Sequence, residues 1–398
     1  MTPHLPTPHL PLRLGFAAPT DPSDVQIDSG VSNSTFTALT ELAAEVVPIS
    51  GELPPRVARL AHLGSVAGRL RPGDLRDPRR AAKRVHSAAQ LGRPTIAARS
   101  RLMRRRLTAA GRLEGIVQRS CNMVLPAGQR VVTYEDSTVL QARESYPWPH
   151  LQALTNADFH RYIERQRRTY ETAVACCCTT HWVAASITAG YGIPAERVFV
   201  VGNGQNHPAT ELAPREWSPP RYLFVGVDWE RKNGPAVLRA FRRVRERYPD
   251  AQLDLVGGHP RVDMPGVLGH GSLSRVDVED CERIASLYRS ATTFVMPSLH
   301  EPAGIVYIEA ASAGVPSIGT TNGGSATLIG PGGLTVDPLD DEQLYAAMLR
   351  LAEPHTAQQL GELAYRHAQL FTWRKVAERL VRALAIPGMD CEGLADFL

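Results

Sequence analysis

The sequence predicts an α/β fold made of two doubly wound, Rossmann-like domains of parallel strands. The chain has 398 residues, whereas single hydrophobic cores stop growing at roughly 250–300 residues. Short runs rich in Val, Ile and Leu alternate with segments of helical periodicity, which is typical of parallel sheets covered by helices. Prolines crowd a polar stretch near 208–220, as at a domain boundary. We therefore predict domains at 1–207 and 208–371, followed by a C-terminal segment, 372–398.

The composition is that of a globular protein, with 43% hydrophobic and 21% charged residues. No apolar run reaches the roughly 18 residues of a membrane-spanning helix. The proline-containing stretch 1–14 lacks the compact apolar core of a secretion signal. The adjacent cysteines 176–178 match neither a disulfide framework nor a zinc site. We expect a protein of the reducing cytoplasm.

Positive charge is concentrated between Arg56 and Arg119, where 17 Lys or Arg residues are opposed by three acids. These basic residues alternate with Ala, Leu and Val at helix-compatible spacing, which suggests an anionic membrane surface or an anionic acceptor. A solvated basic face is the alternative. Nucleic acid is disfavoured, because almost no aromatic residues lie between the arginines to stack on bases. The residues concerned are Arg76, Arg79, Arg80, Lys83, Arg84, Arg99, Arg101, Arg104, Arg105 and Arg106.

The first domain opens with a predicted strand at 12–18, a loop containing Gly30, a helix at 36–45 and a strand at 46–49. A glycine between a first strand and a first helix lets the backbone approach a phosphate or an acceptor closely; an ordinary turn is the alternative. The segment 55–112 is predicted to be helical, 115–125, 130–133 and 198–201 to contain strands, and 158–175 and 181–190 to be helices.

Two acids, Glu135 and Asp136, lie just past the end of the predicted strand 130–133. Ligand groups gather at the carboxyl ends of parallel strands. The residues are equally compatible with the N-cap of a following helix, and both interpretations remain open.

The second domain begins with a strand at 222–227, a loop at 228–234 and a helix at 235–248. Arg231 and Lys232 thus lie between the end of a strand and the start of a helix, where cations and backbone amides together can hold a diphosphate. Lys232 is informative because the chain has 3 lysines against 41 arginines (44 minus 3). A compact ammonium group therefore suits this position where arginine is the default.

A strand–helix–strand unit at 293–324 dominates the second domain. A strand at 293–296 precedes a polar loop ending in Glu301, and a helix at 305–313 precedes a strand at 315–320 and a glycine-rich turn at 322–324. Further strands are predicted at 253–256, 267–271 and 334–337, and helices at 277–290, 341–352, 357–371 and 373–386.

This unit suits a nucleotide-sugar. Glu301 and the amides of Gly304 and Ile305 fall on the ligand edge of the sheet, where amides at a helix start attract phosphate. The carboxylates of Glu301 and Glu309 can each accept hydrogen bonds from a pair of sugar hydroxyls. The alternative is that Glu301 is a solvated loop acid and Glu309 lies on an exposed helix stripe.

Glu301 and Glu309, eight residues apart with Gly304 between them, resemble the E-x7-E motif of family 4 glycosyltransferases, which have the GT-B fold. The resemblance covers roughly 195–385. It extends to Pro297-Ser298, Gly314-Val315-Pro316 and Asn322-Gly323-Gly324, and upstream to Phe224-Val225-Gly226 and Lys232. Two positions depart from the family pattern: Val227, where an arginine is frequent, and Ala303, where an aromatic residue or cysteine is usual.

The resemblance implies two domains facing a cleft, with the donor held mainly by the second and the last helix returning to the first. It implies transfer of a sugar from a nucleotide diphosphate sugar to a hydroxyl of a small-molecule or lipid-linked acceptor, with retention and without a metal or other cofactor. A lipid-linked acceptor would place the chain at the inner face of the membrane. An epimerase or hydrolase of the same fold, or a non-catalytic binding partner, is the alternative. The implied catalytic residues are Asp136 and Glu301, and the implied donor-binding residues are Gly30, Arg231, Lys232, Gly304, Ile305, Val306 and Glu309.

Overall fold

The computed structural model describes residues 10–25, 27–66, 89–121, 123–145, 151, 154–206, 212 and 214–398. These residues divide into two units. The first unit takes its described residues from Met1–Thr179, Val183–Val201 and Arg374–Leu398, and the second from Thr180–Trp182 and Gly202–Trp373. Arg76, Arg79, Arg80, Lys83 and Arg84 of the basic segment lie outside the described ranges.

A six-stranded parallel sheet forms the centre of the first unit. Its strands are β1 (Leu10–Ala18), β2 (Ala43–Ser50), β3 (Gly115–Arg119), β4 (Val131–Glu135), β5 (Ala175–Cys178) and β6 (Val198–Val200). They are arranged in the order β2-β1-β3-β4-β5-β6. Every residue of β3, β4 and β5 is buried, as is typical of parallel strands that are covered by helices on both faces.

The helices of this unit are α1 (Val31–Leu42), α2 (Pro55–Val66), α3 (Arg93–Ala110), α4 (Val139–Glu144), α5 (Asn156–Thr172) and α6 (His181–Tyr191), the first two residues of which belong to the second unit. Helices α2 and α3 are described parts of the basic region, and α3 carries Arg99, Arg101, Arg104, Arg105 and Arg106. Its apolar side chains Met103 and Leu107 pack in the core with Ile49 and Ile116, while Arg101 and Arg104 are exposed. The basic periodicity thus marks an ordinary amphipathic helix whose apolar face is already covered.

The first unit departs from the local predictions at β5 and at the start of α1. The cysteine triplet at 176–178 forms most of β5, a strand that the sequence did not reveal, because four residues between two helices carry no measurable periodicity. The segment 115–125 does contain a strand, β3, which ends at Arg119, where Ser120 adopts a left-handed φ of 68°. Helix α1 begins at Val31 and not at residue 36, after a 3-10 turn that ends at Gly30.

The second unit contains another six-stranded parallel sheet. Its strands are β7 (Arg221–Gly226), β8 (Gln252–Gly257), β9 (Val267–Gly271), β10 (Thr293–Val295), β11 (Ser317–Thr320) and β12 (Gly333–Val336). They are arranged in the order β12-β11-β10-β7-β8-β9. Its helices are α7 (Gly234–Arg247), α8 (Val278–Ser290), α9 (Ile305–Ser312), α10 (Ser325–Ile329), α11 (Asp341–Ala352) and α12 (Pro354–Ala368).

The last helix, α13 (Trp373–Ala383), begins at the end of the second unit, and the chain from Arg374 onward belongs to the first. Arg379, only 2% exposed, donates from Nη1 to the carbonyl of Val201 at 2.9 Å. Arg130 donates to the carbonyl of Leu384 at 2.8 Å. The buried Arg379 and the partly exposed Arg130 thus tie the C-terminal segment to the first unit. Within the described ranges, no helix combines the length and the apolar character needed to cross a bilayer.

Candidate functional site

The second sheet has its topological switch point between β7 and β10, because β8 and β9 extend the sheet on one side of this pair and β11 and β12 on the other. In open α/β sheets, ligands bind in the crevice at the carboxyl ends of such strands. The loop after β7 carries Arg231 and Lys232, and the loop after β10 carries Glu301. The strand order therefore brings these three predicted site residues to one edge.

Glu301 is buried, with 5% of its surface exposed. The Lys232 ammonium donates a hydrogen bond to its Oε2, Ser298 Oγ donates to the same oxygen at 3.2 Å, and Arg231 Nη1 lies 3.7 Å from it. Burial tends to raise the pKa of Glu301, but Lys232 and Arg231 outweigh burial and hold this pKa below its ordinary value. Burial also lowers the pKa of Lys232, an effect that Glu301 partly offsets. The result is an ionised carboxylate beside two cationic side chains.

The loop that carries Lys232 is fixed against the loop after β10. Arg231 accepts at its carbonyl from the Leu299 amide at 2.8 Å and donates from Nη1 to the carbonyl of His300 at 2.9 Å. The Lys232 side chain covers Gly226 at the end of β7, where a Cβ atom would lie 2.9 Å from Lys232 Cγ. The glycine thus leaves room for the lysine to reach Glu301.

The glycine-rich turn after β11 holds the backbone of Glu301. The Glu301 amide donates to the carbonyl of Asn322 at 3.1 Å, and the Glu301 carbonyl accepts from the Gly324 amide at 2.9 Å. Gly323 has a φ of 128°, and a Cβ atom there would lie 2.0 Å from the Glu301 carbonyl oxygen. Neither the backbone conformation nor the space admits a side chain, so glycine is required for this contact.

Helix α9 begins directly after this loop. Gly304, its N-cap, has a φ of 85°, and a Cβ atom there would lie 2.5 Å from Tyr307 Cε2. The amides of Gly304, Ile305 and Val306 lie at the start of the helix, where backbone donors lack intrahelical acceptors and the helix dipole is positive. This end of α9 can therefore bind a phosphate group.

Glu309 lies farther along α9 and is 4% exposed. Tyr288 Oη of α8 donates to its Oε2 at 3.1 Å, and burial, with Glu309 beside it, raises the pKa of Tyr288 far above the ordinary value. Glu301 and Glu309 are thus both buried, so the interpretation of either as a solvated surface acid is wrong. In the part of the chain that the structure describes, no group of three or more His, Cys, Asp or Glu side chains is placed to hold a metal ion.

Asp136 follows the end of β4 in the first unit, and its side chain is 41% exposed. Arg119 Nη2 donates to Asp136 Oδ2 at 3.3 Å, while Arg119 Nη1 donates to the carbonyl of Tyr134 at 3.0 Å. The N-cap of α4 is Thr138, whose Oγ1 accepts from the Gln141 amide at 3.2 Å. Asp136 is therefore not the helix cap that the sequence left as its alternative role.

Glu135, the last residue of β4, is 7% exposed. Burial raises its pKa to about 7, and Asp136 adds to this increase, whereas Cys121 and Arg119 oppose it. Glu135, Asp136 and Arg119 line a pocket of about 420 Å³ in the first unit. Gly30, with a φ of 80°, is the N-cap of α1, and Ser32 in the first turn of that helix lines the same pocket.

Sequence reasoning missed a short segment of the second unit, Thr180–Trp182. The His181 amide donates to Thr327 Oγ1 at 3.2 Å, and the ring of Trp182 lies 5.5 Å from that of His300. Burial lowers the pKa of His300 to about 4, so this imidazole is neutral at pH 7. No local pattern distinguishes this segment from the start of an ordinary helix.

Comparison with known proteins shows which family the second unit resembles. Residues 219–354 match the family model described as "Glycosyl transferases group 1". The D-inositol 3-phosphate glycosyltransferase of Corynebacterium urealyticum is 29% identical over 270 residues, which are 60% of this chain and 63% of that protein. The chain thus spans less than two thirds of the length of this relative, and likewise of the protein of the same name from Kribbella flavida.

Solved structures share the fold. The sucrose-phosphate synthase of Thermosynechococcus elongatus superimposes with a TM-score of 0.62 at 18% identity, over 93% of this chain and 98% of that one. WaaG, a glycosyltransferase involved in lipopolysaccharide biosynthesis, gives a TM-score of 0.59 at 18% identity, over 94% and 100% of the two chains. At these identities the likeness shows the fold alone. The prediction of two doubly wound domains of the GT-B type is confirmed, and so is the resemblance to its glycosyltransferases.

Proposed function

We propose that this chain transfers a sugar from a nucleotide diphosphate sugar to a hydroxyl group of an acceptor. Residues 219–354 match the family model of the group 1 glycosyltransferases, which supports the proposal. The observation that carries the proposal is the buried cluster in which Lys232 and Arg231 lie against Glu301. Two cations beside a helix start suit a diphosphate, and the carboxylate can accept hydrogen bonds from sugar hydroxyls.

In this proposal the donor lies along α9. Its diphosphate binds to the amides of Gly304, Ile305 and Val306, and Lys232 and Arg231 neutralise its charge. Both cationic side chains keep 12–14% of their surface exposed, so a ligand at the sheet edge can reach them.

Two carboxylates, Glu309 in α9 and Glu301 in the loop before it, contact different sugar rings of the donor in this proposal. Glu309, oriented by Tyr288, accepts from the paired hydroxyls of the nucleoside ribose. Glu301 accepts from hydroxyls of the transferred sugar.

The reaction would proceed with retention of anomeric configuration. The acceptor oxygen bonds to the anomeric carbon on the face from which the diphosphate leaves, the bond to the phosphate oxygen breaks, and the acceptor proton passes to that oxygen. Positive charge at the leaving group then comes from Lys232, Arg231 and helix amides, and the proposal includes no metal. The Asp136 carboxylate would accept a hydrogen bond from a hydroxyl of the transferred sugar. Gly30, which has no side chain, would let the backbone of its loop approach the ligand closely.

A panel of UDP-, GDP- and ADP-sugars tests the activity, with D-inositol 3-phosphate, from the name of the relative, as the first acceptor. We expect one donor to release its nucleoside diphosphate only when an acceptor is present. Release without any acceptor would identify a hydrolase, an epimerised sugar would identify an epimerase, and binding without turnover would identify a non-catalytic partner.

Nucleotide affinity tests the donor site. Loss of a charge-assisted contact costs about 1.5–3 kcal/mol, so Glu309→Gln and Lys232→Met should each weaken binding of the matching nucleoside diphosphate by roughly tenfold to a hundredfold. Glu41→Gln, an exposed change on α1, is the control and should have no effect. Wild-type affinity in both site variants would show that the nucleotide binds elsewhere.

The acceptor side includes a proposed contact with an anionic membrane at the cytoplasmic face. Helix α2 exposes Val57, Leu60 and Leu63 at 43%, 72% and 69% of their surface, and Arg56 and Arg59 beside them are exposed too. Apolar side chains flanked by arginines are suited to the interface of an anionic bilayer. The exposed arginines of α3 would add long-range attraction only, because the apolar face of α3 packs in the core.

Vesicle co-sedimentation tests this contact. Wild-type chain should bind phosphatidylglycerol vesicles more than phosphatidylcholine vesicles, and salt should weaken the binding. Leu60→Ser with Leu63→Ser should reduce it, whereas Leu339→Ser, an 83% exposed leucine of the second unit, should not. Equal binding to both lipids, or binding to neither, would contradict the proposed contact with an anionic membrane.

A further inference from the structure

Arg215 lies in the polar stretch before β7, and its guanidinium group reaches the carboxyl ends of two helices of the second unit. In the last turn of α8, Nε donates to the carbonyl of Arg289 at 3.1 Å and Nη2 to that of Tyr288 at 3.3 Å. Directly after α9, Nη2 donates to the carbonyl of Ala313 at 2.6 Å and Nη1 to that of Gly314 at 2.9 Å. One side chain thus joins the ends of α8 and α9.

These contacts satisfy groups that the helices themselves leave open. The last carbonyl groups of a helix have no intrahelical donor, and the negative end of the helix dipole lies beside them. A planar guanidinium group presents five N–H donors in a fixed fork, so it can bind two such ends at once. Burial lowers the pKa of Arg215 to about 10, and the group therefore stays charged at pH 7. Its Cζ atom lies 5.1 Å from the centroid of the Trp217 ring, a cation–π contact.

The two joined helices carry the two members of a buried side-chain pair. Tyr288 of α8 and Glu309 of α9 are both buried, and Tyr288 Oη donates to Glu309 Oε2 at 3.1 Å. Arg215 binds the backbone of Tyr288 directly, and Ala313, which it also binds, lies about one helical turn after Glu309. A shift of either helix end would therefore change the distance between the tyrosine hydroxyl and the carboxylate.

The amino end of α9 is held by different contacts. The Glu301 carbonyl, in the loop before the helix, accepts from the Gly324 amide at 2.9 Å. Tyr307 Oη, in the first turn, donates to the carbonyl of Met296 at 2.6 Å. These bonds involve neither α8 nor the guanidinium group. Loss of the guanidinium group should thus displace Glu309, near the carboxyl end, more than the amides at the amino end.

We propose that Arg215 is a positioning residue for the donor nucleotide, which holds the ends of α8 and α9 so that the Glu309 carboxylate accepts from the ribose hydroxyls. This role rests on the proposed function, in which Glu309 contacts the ribose. Arg215 does not contact the ligand itself and acts through Tyr288 and the end of α9. The chain should therefore prefer nucleotides that carry ribose hydroxyls, and this preference should depend on Arg215.

Nucleotides with and without ribose hydroxyls test this role. UDP, GDP and ADP are titrated into the full chain by calorimetry, each beside its 2′,3′-dideoxy counterpart. The tightest of the three should bind wild type roughly tenfold or more tightly than its dideoxy counterpart, which cannot donate to Glu309. Arg215→Met should reduce this ratio by about threefold or more, the effect of weakening one hydrogen bond. Its affinity for the dideoxy form should remain close to that of wild type.

Two controls separate positioning from a loss of charge or of stability. Arg242→Met removes an exposed arginine of α7, and the ratio should not change. Asp340→Ala removes the side chain that caps the start of α11, so it should lower stability and leave the ratio unchanged. Arg215→Met combined with Glu309→Gln should lower the ratio no further than Glu309→Gln alone, because the arginine acts through the glutamate.

Arg215→Lys keeps the inference testable if Arg215→Met does not fold. The ammonium group retains the charge but has only three donors for the four carbonyl groups, so this variant should also bind with a lower ratio than wild type. An unchanged ratio in Arg215→Met, or in Arg215→Lys where Arg215→Met does not fold, would overturn the inference. Equal loss of affinity for both forms of the nucleotide, or additive effects with Glu309→Gln, would overturn it as well.

Failure of this inference is distinct from failure of the proposed function. A chain that transfers sugar, and whose Arg215 variants keep the wild-type ratio, contradicts only the role of Arg215. A chain that binds nucleotides with an Arg215-dependent ratio and transfers no sugar contradicts only the proposed reaction. Binding of none of the three nucleoside diphosphates to wild type would contradict both.

Discussion

Lys232 and Glu301 form a buried ion pair that joins the loop after β7 to the loop after β10, with 12% and 7% of the two side chains exposed. Their residues are 69 positions apart in the chain, so the pair exists only because β7 and β10 are neighbours in the sheet. Opposite charges that are buried together hold each other in the ionised state. The pair thus keeps both proposed donor-binding groups charged before any ligand arrives.

Removing one partner of this pair should be costly. Lys232→Met leaves a buried carboxylate without its main donor, and such changes typically destabilise by about 3–5 kcal/mol. Lys232→Met combined with Glu301→Gln should be more stable than Lys232→Met alone, because the uncompensated charge is gone. Chemical denaturation of the four members of this double-mutant cycle provides the measurement. The surface pair Arg243–Glu342 is the control, and Glu342→Gln should have a much smaller effect. Additive effects in the cycle would contradict the coupling.

Gly323→Ala should disturb Glu301 from the opposite side. Its Cβ atom would lie 2.0 Å from the Glu301 carbonyl oxygen, at a φ of 128°. Gly128→Ala is a matched control, because Gly128 also has a positive φ, 87°, but nothing lies within 4 Å of its Cβ position. Both variants incur backbone strain, of order 1 kcal/mol. We expect Gly323→Ala alone to weaken nucleotide-sugar binding, measured by titration. Equal binding by the two variants would indicate that the turn does not position Glu301.

Asp136→Asn should separate turnover from nucleotide binding. The amide oxygen can still accept from Arg119, so the local structure should be retained, while the charge that faces the proposed sugar is lost. We expect kcat to decrease by about a hundredfold or more, with nearly unchanged affinity for the nucleoside diphosphate. Steady-state kinetics and equilibrium titration provide the two measurements. If Asp136→Asn transfers sugar at the wild-type rate, Asp136 does not contact the transferred sugar.

Glu135 should make stability depend on pH. Its pKa is about 7 in the folded chain, raised by burial from an ordinary value of 4.5. Between these pH values the folded chain retains a proton that the unfolded chain has lost, so stability decreases as pH rises through 7. A change of this size corresponds to about 3 kcal/mol.

Glu135→Gln should remove this contribution. The variant should be more stable than wild type at pH 8, and the difference should shrink toward pH 5. Thermal unfolding of both proteins across this range measures it, and the comparison cancels the titration of all other groups. Parallel stability curves for the two proteins would show that Glu135 titrates normally.

Local sequence patterns determined much of the second unit. Apolar strands, helix-start residues and glycine turns are short-range features, so the order of β7, α7, β10, α9 and β11 could be predicted, and with it the positions of Lys232 and Glu301 at strand ends. Local sequence patterns predicted the strands of the first unit less completely. Strand β5 is four residues of alanine and cysteine, and its strand character depends on pairing with β4 and β6, which no local window contains.

The neighbours Glu135 and Asp136 mark the limit of what the sequence alone determined. Two acids at the end of a strand predict a site, because the carboxyl ends of parallel strands collect ligand groups. The sequence also determined that successive side chains in extended backbone point to opposite sides. Only the tertiary structure decided that Glu135 is buried, while Asp136 is partly exposed and pairs with Arg119. The reason is that burial and charge partners come from β3, placed beside β4 by the order of the sheet and not by the order of the chain.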